Sequence, residues 1–388
     1  MIPVDAGYIP LVDAAPLIVA REIGFAEEEG IDLRLHRQPS WSAIRDKLAI
    51  GRLQAAHMLS PVPVAMSMGL GGLPLAVDAV MVLSVNGSVV GVSPALAERM
   101  RDHGAGHDVM AAGQIGRALI AASTARLRVG VPFPFSMHAE LLYYWLGGLG
   151  MRVPEELEVR TVPPPLMAAA VEAGEIDAFC VGEPWGSFAV ARGVAEIAMP
   201  GCAIWRFAPE KVLAMARTTV ERDADLTRRL MRAVWRAGKW LAADSHHMSA
   251  AEILARAPYL DVSAEVIERA FTGRLVAGAN GETRVPRLIG FHDGAAQFPW
   301  RSQALWMATR LAARLGLERD EAARVARACF RPDLYRANLG PIGADLPGAS
   351  EKLEGALESV TPVASSQGRT FLGPDCFFDG RVFDPNAP

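Results

Sequence analysis

The sequence predicts an α/β protein with two lobes, and three features of the chain lead to this fold class. Short apolar, strand-like runs alternate with helical patterns through the first half of the chain, which is typical of mainly parallel sheets. At 388 residues the chain is longer than one compact core usually supports. The order of the predicted strands also indicates that the chain forms part of a first unit, then a complete second unit, and then the rest of the first unit. We therefore expect lobe 1 to comprise residues 1–86 and 205–388, with the C-terminal helical region and tail, and lobe 2 to comprise residues 87–204.

The first unit is predicted to alternate strand, helix, strand, helix and strand. Apolar and polar residues alternate over residues 31–35, as they do in a half-buried strand. Serines at the start of a helical pattern and glycines at its end are typical helix boundaries. The predicted elements are a strand (2–8), a helix (14–29) that ends at Gly30, a strand (31–35), a helix that begins after Ser40 or Ser42 and ends at Gly51, and a strand (53–58).

The second unit is predicted to begin in the apolar run 80–92, which Asn86-Gly87 interrupts. Its further elements are a loop or short helix (101–116), strands (128–131, 158–162 and 176–181), and helices (from 137 to 147, and from the Pro163-Pro164-Pro165 run to Gly174). Residues 212–216 return to the first unit, and helical patterns follow at 225–243, 250–257 and 303–315. Chain segments that cross between two units can act as a hinge, and ligands usually bind in the cleft between the lobes.

Composition and charge exclude several classes of function. The net charge is −4, so the chain lacks the basic face that nucleic acid or an anionic membrane requires, and we expect neither direct nucleic-acid contact nor membrane insertion. The four cysteines lie far apart without a C-x-x-C pair, which predicts no metal site and no disulfide framework and favours a reducing compartment. No cofactor is expected. The cysteines are Cys180, Cys202, Cys329 and Cys376.

The opening of the chain does not resemble a secretory signal. Such a signal starts with positive charge, continues with an apolar run and ends at small residues. Here Asp5 comes early, no Lys or Arg precedes Arg21, and Asp13 and Pro16 interrupt the apolar stretch. With Met1 taken as the start, the sequence predicts a cytoplasmic protein.

Several short segments between about residue 5 and about residue 310 match the motifs of one known protein family, and they occur in the same order as in that family. They are residues 8–17, 37–41, 56–61, 133–134 with His138, 162–165, 182–185, 209–211 and 298–302, and residues 372–375 in the tail belong with them. Together they resemble the nitrate- and bicarbonate-binding proteins of bacterial ABC importers. The resemblance implies a class II periplasmic-binding-protein-like fold, with a hinge and a ligand cleft between the lobes, that closes on a planar oxyanion.

The resemblance also implies five positions that bind nitrate or nitrite: Trp41, Ser88, His138, Pro164 and Lys211. In this reading the Trp41 ring flanks the anion, His138 donates a hydrogen bond, Lys211 supplies positive charge and Pro164 marks backbone that lines the pocket. The family's nitrate binders often have a glutamine where this chain has Ser88, so the choice between nitrate and nitrite stays open.

The implied chemistry is reasonable for a buried monoanion, which needs opposite charge and hydrogen bonds in place of its water. Helices that begin after Pro39, Ser136 and Pro164 can add backbone N–H donors and a favourable dipole. His57 is interpreted as a structural histidine, and His246 and His247 as a solvated pair.

Three functions remain open for such a fold. The first is a cytoplasmic nitrate/nitrite sensor of the NasS type, whose ligand-free form holds an RNA-binding NasT-type antiterminator inactive until the anion binds. The second is the solute-binding subunit of a nitrate ABC importer whose signal peptide is absent from this sequence. The third is an enzyme like the pyrimidine-forming thiamin-biosynthesis proteins. Scattered cysteines and the lack of a catalytic motif favour a protein that is not an enzyme, and the sensor is the function we predict.

Overall fold

The computed structural model describes residues 1–277 and 281–387, which form two main β-sheets with helices packed against them. The strands are β1 (Ile2–Tyr8), β2 (Ile31–Arg37), β3 (Ala55–Leu59), β4 (Val77–Asn86), β5 (Ser88–Val92), β6 (Leu127–Val131), β7 (Leu157–Thr161), β8 (Ala178–Gly182), β9 (Glu196–Pro200), β10 (Pro209–Ala216), β11 (Arg274–Val276), β12 (Glu282–Arg284), β13 (Ile289–Gly290), β14 (Thr361–Pro362) and β15 (Phe371–Leu372). The last two strands, like β11 and β12, form a small antiparallel pair.

The helices follow the same chain order, with short 3-10 turns between several of them. They are α1 (Ala15–Glu22), α2 (Phe25–Glu28), α3 (Trp41–Ala49), α4 (Pro61–Ser67), α5 (Pro94–Asp102), α6 (Ala112–Ala122), α7 (Met137–Gly148), α8 (Met167–Glu172), α9 (Trp185–Ala191), α10 (Arg217–Arg222), α11 (Ala224–Leu241), α12 (His247–Ala255), α13 (Ala264–Thr272), α14 (Arg301–Leu315), α15 (Arg319–Cys329) and α16 (Pro332–Leu339). None of the helices in the described part of the chain is both long enough and apolar enough to cross a membrane.

Both sheets consist mainly of parallel strands, with two antiparallel strands, β10 and β13, in the six-stranded sheet and one, β5, in the five-stranded sheet. In the six-stranded sheet the order is β13-β4-β10-β3-β1-β2, with β1 parallel to β2 and β3, and β10 antiparallel to β3 and β4. In the five-stranded sheet the order is β7-β6-β8-β5-β9, with β6 parallel to β7 and β8, and β5 antiparallel to β8 and β9. The strands of the six-stranded sheet fall within lobe 1 and those of the five-stranded sheet within lobe 2.

The chain crosses between the sheets twice, and one side chain ties the two crossings together. Strand β4 ends at Asn86 in lobe 1 and β5 begins at Ser88 in lobe 2; Gly87 between them has a φ of 92°. Glycine adopts such a left-handed conformation without steric cost. The Asn86 amide donates to Arg206 O (2.9 Å) and its carbonyl accepts from Ala208 N (3.0 Å), on the return crossing between β9 and β10.

One of the predicted elements is wrong in detail, and one predicted break is confirmed. The predicted helix over residues 14–29 is two helices, α1 and α2, because Gly24 takes a left-handed φ of 91° and starts the second helix, which a hydrophobic pattern alone does not reveal. The apolar run 80–92 is interrupted at Asn86-Gly87 as predicted, and its two parts, β4 and β5, belong to different sheets.

Candidate functional site

Two helices begin at the site, and each start is held by a serine cap. Trp41 is the first residue of α3, and Ser40 Oγ accepts a hydrogen bond from Ala43 N at 3.2 Å. His138 is the second residue of α7, where Ser136 Oγ accepts from Ala139 N at 3.1 Å. Such caps satisfy free N–H groups and define where a helix starts. The positive ends of both helix dipoles therefore lie close to the aromatic ring and the imidazole.

Lys211 enters the site from β10, between β3 and β4 in lobe 1. The pairing of β10 with β4 shifts register on both sides of Lys211, which marks a β-bulge. Successive side chains of a regular strand point to opposite faces, and a bulge re-aims them. As a result the Lys211 ammonium lies 2.9 Å from Oε1 of Glu210, and both side chains are fully buried.

Asp13 is the second carboxylate on the Lys211 ammonium. Its Oδ2 lies 2.6 Å from Lys211 Nζ, and its Oδ1 lies 2.8 Å from Nε2 of His57. Ile9 N donates to Nδ1 of His57 at 3.5 Å, so the proton of a neutral His57 is on Nε2 and is donated to Asp13. Asp13 is thus held between a cation and a hydrogen-bond donor, at 1% exposure.

Trp41 and His138 complete the cluster from two sides. The Trp41 ring centroid is 5.5 Å from Lys211 Nζ and 5.4 Å from the His57 ring, within the range of cation–π and aromatic contacts. His138 comes from lobe 2, and its Nδ1 lies 3.3 Å from Glu210 Oε1 without hydrogen-bond geometry. Ser60 lies beside them, where its main-chain N–H donates to Glu210 O at 3.1 Å. We refer to these seven residues as the Lys211 cluster; its members are Asp13, Trp41, His57, Ser60, His138, Glu210 and Lys211.

Several polar atoms of the Lys211 cluster have no hydrogen-bond partner among residues 1–277 and 281–387. They are Trp41 Nε1, Ser60 Oγ, Glu210 Oε2 and both ring nitrogens of His138. The side chains that carry them are at most 3% exposed. A buried donor or acceptor without a partner costs about 1–3 kcal/mol. Such a concentration of free hydrogen-bonding capacity around one lysine is what a small polar ligand would satisfy.

Burial and neighbouring charges shift the pKa values of the cluster's groups from their ordinary values, and the two carboxyl groups shift in opposite directions. Burial by itself would raise the pKa of Asp13, but Lys211 and His57 outweigh it and hold this pKa at about 2. Burial would lower the pKa of Lys211, but Asp13 and Glu210 raise it instead. These two residues therefore form an ion pair. For Glu210 burial prevails over the attraction of Lys211 and raises the pKa to about 7.

The two histidines of the cluster are held neutral. Burial is the main cause that lowers the pKa of His57, with Asp13 opposing it. For His138 burial comes first and repulsion by Lys211 adds to it, so the pKa lies well below its ordinary value. A neutral imidazole has one donor and one acceptor nitrogen, so His138 can offer one N–H to a bound group.

The structure brings together Trp41, His138 and Lys211 of the five predicted positions. Ser88, the first residue of β5, is buried and hydrogen-bonds with Cys180, whose electrostatic neighbours include Glu210 and Lys211. A Cβ at Gly201 would lie 2.3 Å from Ser88 Oγ, so a longer side chain at residue 88 would need a rearrangement. Pro164 is buried at the start of a 3-10 turn after β7, and within the described residues no hydrogen bond or ion pair joins it to the cluster.

Sequence reasoning did not single out three members of the Lys211 cluster, Asp13, Ser60 and Glu210. The fourth, His57, was interpreted as structural, and its ring nitrogens contact Ile9 N and Asp13. All four nevertheless lie inside segments that carry the family resemblance, namely residues 8–17, 56–61 and 209–211. That position was the available signal, since neither a charge pattern nor a spacing rule connects residues so far apart in the chain.

The lobes contact each other next to the cluster through one main-chain hydrogen bond and one bond from a side chain to the main chain. Val12 N donates to Glu183 O (2.8 Å), and the Trp185 indole N–H donates to Pro10 O (2.7 Å). Two cavities of about 370 and 500 Å³ lie elsewhere, beside the crossings and the C-terminal tail. With its side chains at most 3% exposed, the Lys211 cluster is a sealed site, so a ligand can reach it when the lobes separate.

Comparison with known proteins places this chain in a family. Residues 2–255 match the NMT1-like family. The chain is 30% identical over 393 residues to the nitrate/nitrite binding protein NrtA of Synechocystis, with 98% of this chain and 82% of the relative covered. It is 32% identical over 394 residues to the nitrate import ATP-binding protein NrtC of Synechocystis, where it is covered completely but spans 54% of that relative's length.

Solved structures give the same result for the fold. The crystal structure of the periplasmic nitrate-binding protein NrtA from Synechocystis PCC 6803 superposes with a TM-score of 0.83 at 26% identity, over 99% of this chain and 95% of that one. A zinc-bound ligand-binding component of an ABC-type import system from Staphylococcus aureus has a TM-score of 0.66 at 15% identity, over 87% and 99% of the two chains, and shows the fold alone. This chain therefore has the two-lobed fold of periplasmic binding proteins and belongs to the NMT1-like family, among the nitrate- and bicarbonate-binding proteins of ABC importers.

Proposed function

We propose that this chain binds nitrate or nitrite between its lobes and acts as a cytoplasmic sensor without enzymatic activity. In this proposal the ligand controls an RNA-binding antiterminator of the NasT type. The observation that carries the anion-binding part is the Lys211 cluster itself. It combines a buried cation with an indole N–H, a hydroxyl and an imidazole that lack partners among the described residues.

The donor set suits a small planar anion. Nitrate and nitrite carry acceptor oxygens, and Trp41 Nε1 is a donor with no acceptor function. The Trp41 ring provides a flat wall, and the N-termini of α3 and α7 add positive electrostatic potential. The NrtA relatives, which are nitrate/nitrite binding proteins by name, support the same ligand class.

One observation favours a sensor over an importer subunit. All four cysteines are free and three of them are buried, which suits a reducing compartment. The match to import ATP-binding proteins, over 54% of their length, does not separate the two candidates, because those proteins are importer components by name.

The mechanism we propose is a shift between an open and a closed form. A ligand in the sealed Lys211 cluster stabilises the closed form, because its differential affinity for that form supplies the free energy. An antiterminator that binds the open form is then released by the anion. Linkage requires that nitrate and the partner weaken each other's binding by the same factor.

The importer subunit remains the second candidate, and the match to NrtA over 82% of that protein's length favours it. The two candidates differ in location and partner. Fractionation of cells that express the native gene should find a sensor with the cytoplasm and an importer subunit with the periplasm. Recovery of the chain in the periplasmic fraction would contradict the sensor proposal and leave anion binding intact.

The first experiment measures thermal unfolding with nitrate, nitrite and bicarbonate added separately. A ligand that binds the folded form alone raises its stability by about 2.7 kcal/mol at a hundredfold excess over the dissociation constant. We expect nitrate or nitrite to raise the melting temperature, with chloride at equal ionic strength as the control. The absence of any shift with these anions would contradict the proposed function.

A further inference from the structure

The charges already present in the Lys211 cluster limit what it can bind. Lys211 brings one positive charge, and the ion pair with Asp13 (2.6 Å) uses it completely. Glu210 lies 2.9 Å from the same ammonium. With Glu210 ionised, the buried cluster has a net charge of −1 before any ligand arrives, and a monoanion would bring it to −2. Unbalanced buried charge is costly, and neighbouring like charges cannot all stay ionised.

We propose that the anion binds together with one proton, taken from solvent and held on the Glu210 carboxyl. Protonation of Glu210 leaves the Lys211–Asp13 pair and the bound anion as the charges of the site. It also converts Glu210 from an acceptor into a donor, so that its O–H can face the anion. The free Oε2 of Glu210, buried and without a partner among the described residues, is the atom available for this proton. The inference rests on the proposed function and adds Glu210 as a residue that contacts the ligand and determines specificity.

Several titratable groups on the elements packed around Glu210 could in principle take up the proton in its place. On β10 itself Lys211 is a cation, and in the turn after β1 Asp13 is held ionised by Lys211 and His57. On α7 His138 is disfavoured by burial and by Lys211, and on β3 His57 is disfavoured chiefly by burial. On β8 the Cys180 thiol, whose pKa burial raises, is already protonated. Glu210, with a pKa of about 7, is the group on which a nearby anion most readily favours uptake of a proton from solvent.

The proposal has a consequence for selectivity. Nitrate has no proton to donate, so it needs the neutral, donating form of Glu210. Bicarbonate has an O–H group that can donate a hydrogen bond to an ionised Glu210, and this bond offsets part of the cost of the second negative charge, so bicarbonate depends less on proton uptake. Glu210 therefore separates acceptor-only anions from anions that carry a donor, and the advantage of nitrate should shrink as pH rises.

The test is calorimetry of nitrate binding to the full chain in phosphate and in Tris, whose ionisation enthalpies differ strongly. Below about pH 7 Glu210 is already protonated, and the affinity should be constant. Above that pH we expect uptake of nearly one proton for each nitrate bound and a loss of affinity of about tenfold per pH unit. In Glu210→Gln, which keeps the shape and supplies an N–H donor in place of the carboxyl O–H, the uptake should vanish and the affinity should become independent of pH.

Glu354→Gln is the matched control, because Glu354 is another fully buried acid beside a lysine, Lys352, remote from the cluster. It should retain the wild-type uptake. Proton uptake that persists in Glu210→Gln and disappears in His138→Gln would overturn the assignment to Glu210. A pH-independent nitrate affinity in the wild-type chain would overturn the inference and leave the proposed function standing. If none of the three anions binds at any pH tested, both fall. If a variant does not fold, the two-buffer measurement on the wild-type chain still shows whether nitrate binds together with a proton.

Discussion

His138 Nδ1 lies 3.3 Å from Oε1 of Glu210, and at this contact the first turn of α7 in lobe 2 meets the central strand β10 of lobe 1. Both side chains are fully buried. Opening of the lobes would separate them and expose Glu210 and Lys211 to water, where their charges cost little. In the closed form these charges are buried, so a bound anion that changes the charge balance also changes the stability of the closed form relative to the open form.

Lys211 should be essential for the response to anions but not for the fold. Replacement by methionine keeps most of the volume and removes the positive charge. We expect Lys211→Met to lose all stabilisation by nitrate and nitrite in thermal unfolding, together with about 3–5 kcal/mol of stability from the unpaired Asp13. Lys352→Met is the matched control, since Lys352 also sits between two carboxylates, Glu354 and Asp375. It should lose stability and keep the response. An unchanged nitrate affinity in Lys211→Met would contradict the site.

Stability of the ligand-free chain should fall as pH rises from about 4.5 to about 7. Burial raises the pKa of Glu183 from 4.5 to about 7, although hydrogen bonds from Ser187 oppose it, and the pKa of Glu210 rises similarly. The folded form binds these protons more tightly than the unfolded chain, so their contribution is complete below pH 4.5 and is lost as pH approaches 7.

Glu183→Gln isolates one of these two contributions. For Glu183 the loss is about 3 kcal/mol at most. Chemical denaturation across this pH range should show a shallower slope in Glu183→Gln and an unchanged slope in Glu358→Gln, where the glutamate is exposed. Equal slopes in all three proteins would show that Glu183 ionises in the folded form as easily as in the unfolded chain.

The hydrogen bond from Trp185 to Pro10 O should contribute to closure and not to the binding chemistry. Trp185→Phe keeps an aromatic ring and removes the indole N–H that spans the lobes at 2.7 Å. In the open form water can replace this bond, so the cost of about 1–2 kcal/mol falls on the closed form alone. We expect nitrate affinity to fall about five- to thirtyfold.

The comparison for this variant is Trp240→Phe. Trp240 stacks on His246 within lobe 1, with ring centroids 4.2 Å apart, and its replacement should leave nitrate affinity near the wild-type value. Small-angle scattering should show a larger open fraction for Trp185→Phe without ligand. Nitrate affinity equal to that of the wild type would mean that this bond also forms in the open chain.

The sensor proposal predicts a reciprocal effect between anion and partner. If nitrate lowers the affinity for a NasT-type antiterminator by some factor, the antiterminator must lower nitrate affinity by the same factor. Both factors can be measured by calorimetry of the chain with and without the second ligand. Lys211→Met should retain partner binding and make it insensitive to nitrate. A partner that binds equally well with and without nitrate would contradict the sensor.

Local signals in the sequence determined much of the architecture. The alternation of strands and helices predicted the α/β class. Helix starts were recognisable after Ser40 or Ser42 and after Ser136, and the structure has the caps at Ser40 and Ser136. These features depend on neighbours within a few residues, so no tertiary information was needed. The ordered family segments extended the prediction to a two-lobed fold and to Trp41, His138 and Lys211, three side chains that meet in the structure.

The tertiary structure alone decided how the charges of the site are shared. A regular strand would have placed Glu210 and Lys211 on opposite faces, and the bulge against β4 brings them to one. Asp13 reaches the same ammonium from 198 positions earlier in the chain, through the pairing of β1 and β10 with β3. Lys211 and His57 outweigh burial and hold the pKa of Asp13 at about 2, whereas burial prevails at Glu210 and raises its pKa to about 7. Such effects arise from distance and desolvation among residues remote in sequence, which no local pattern records.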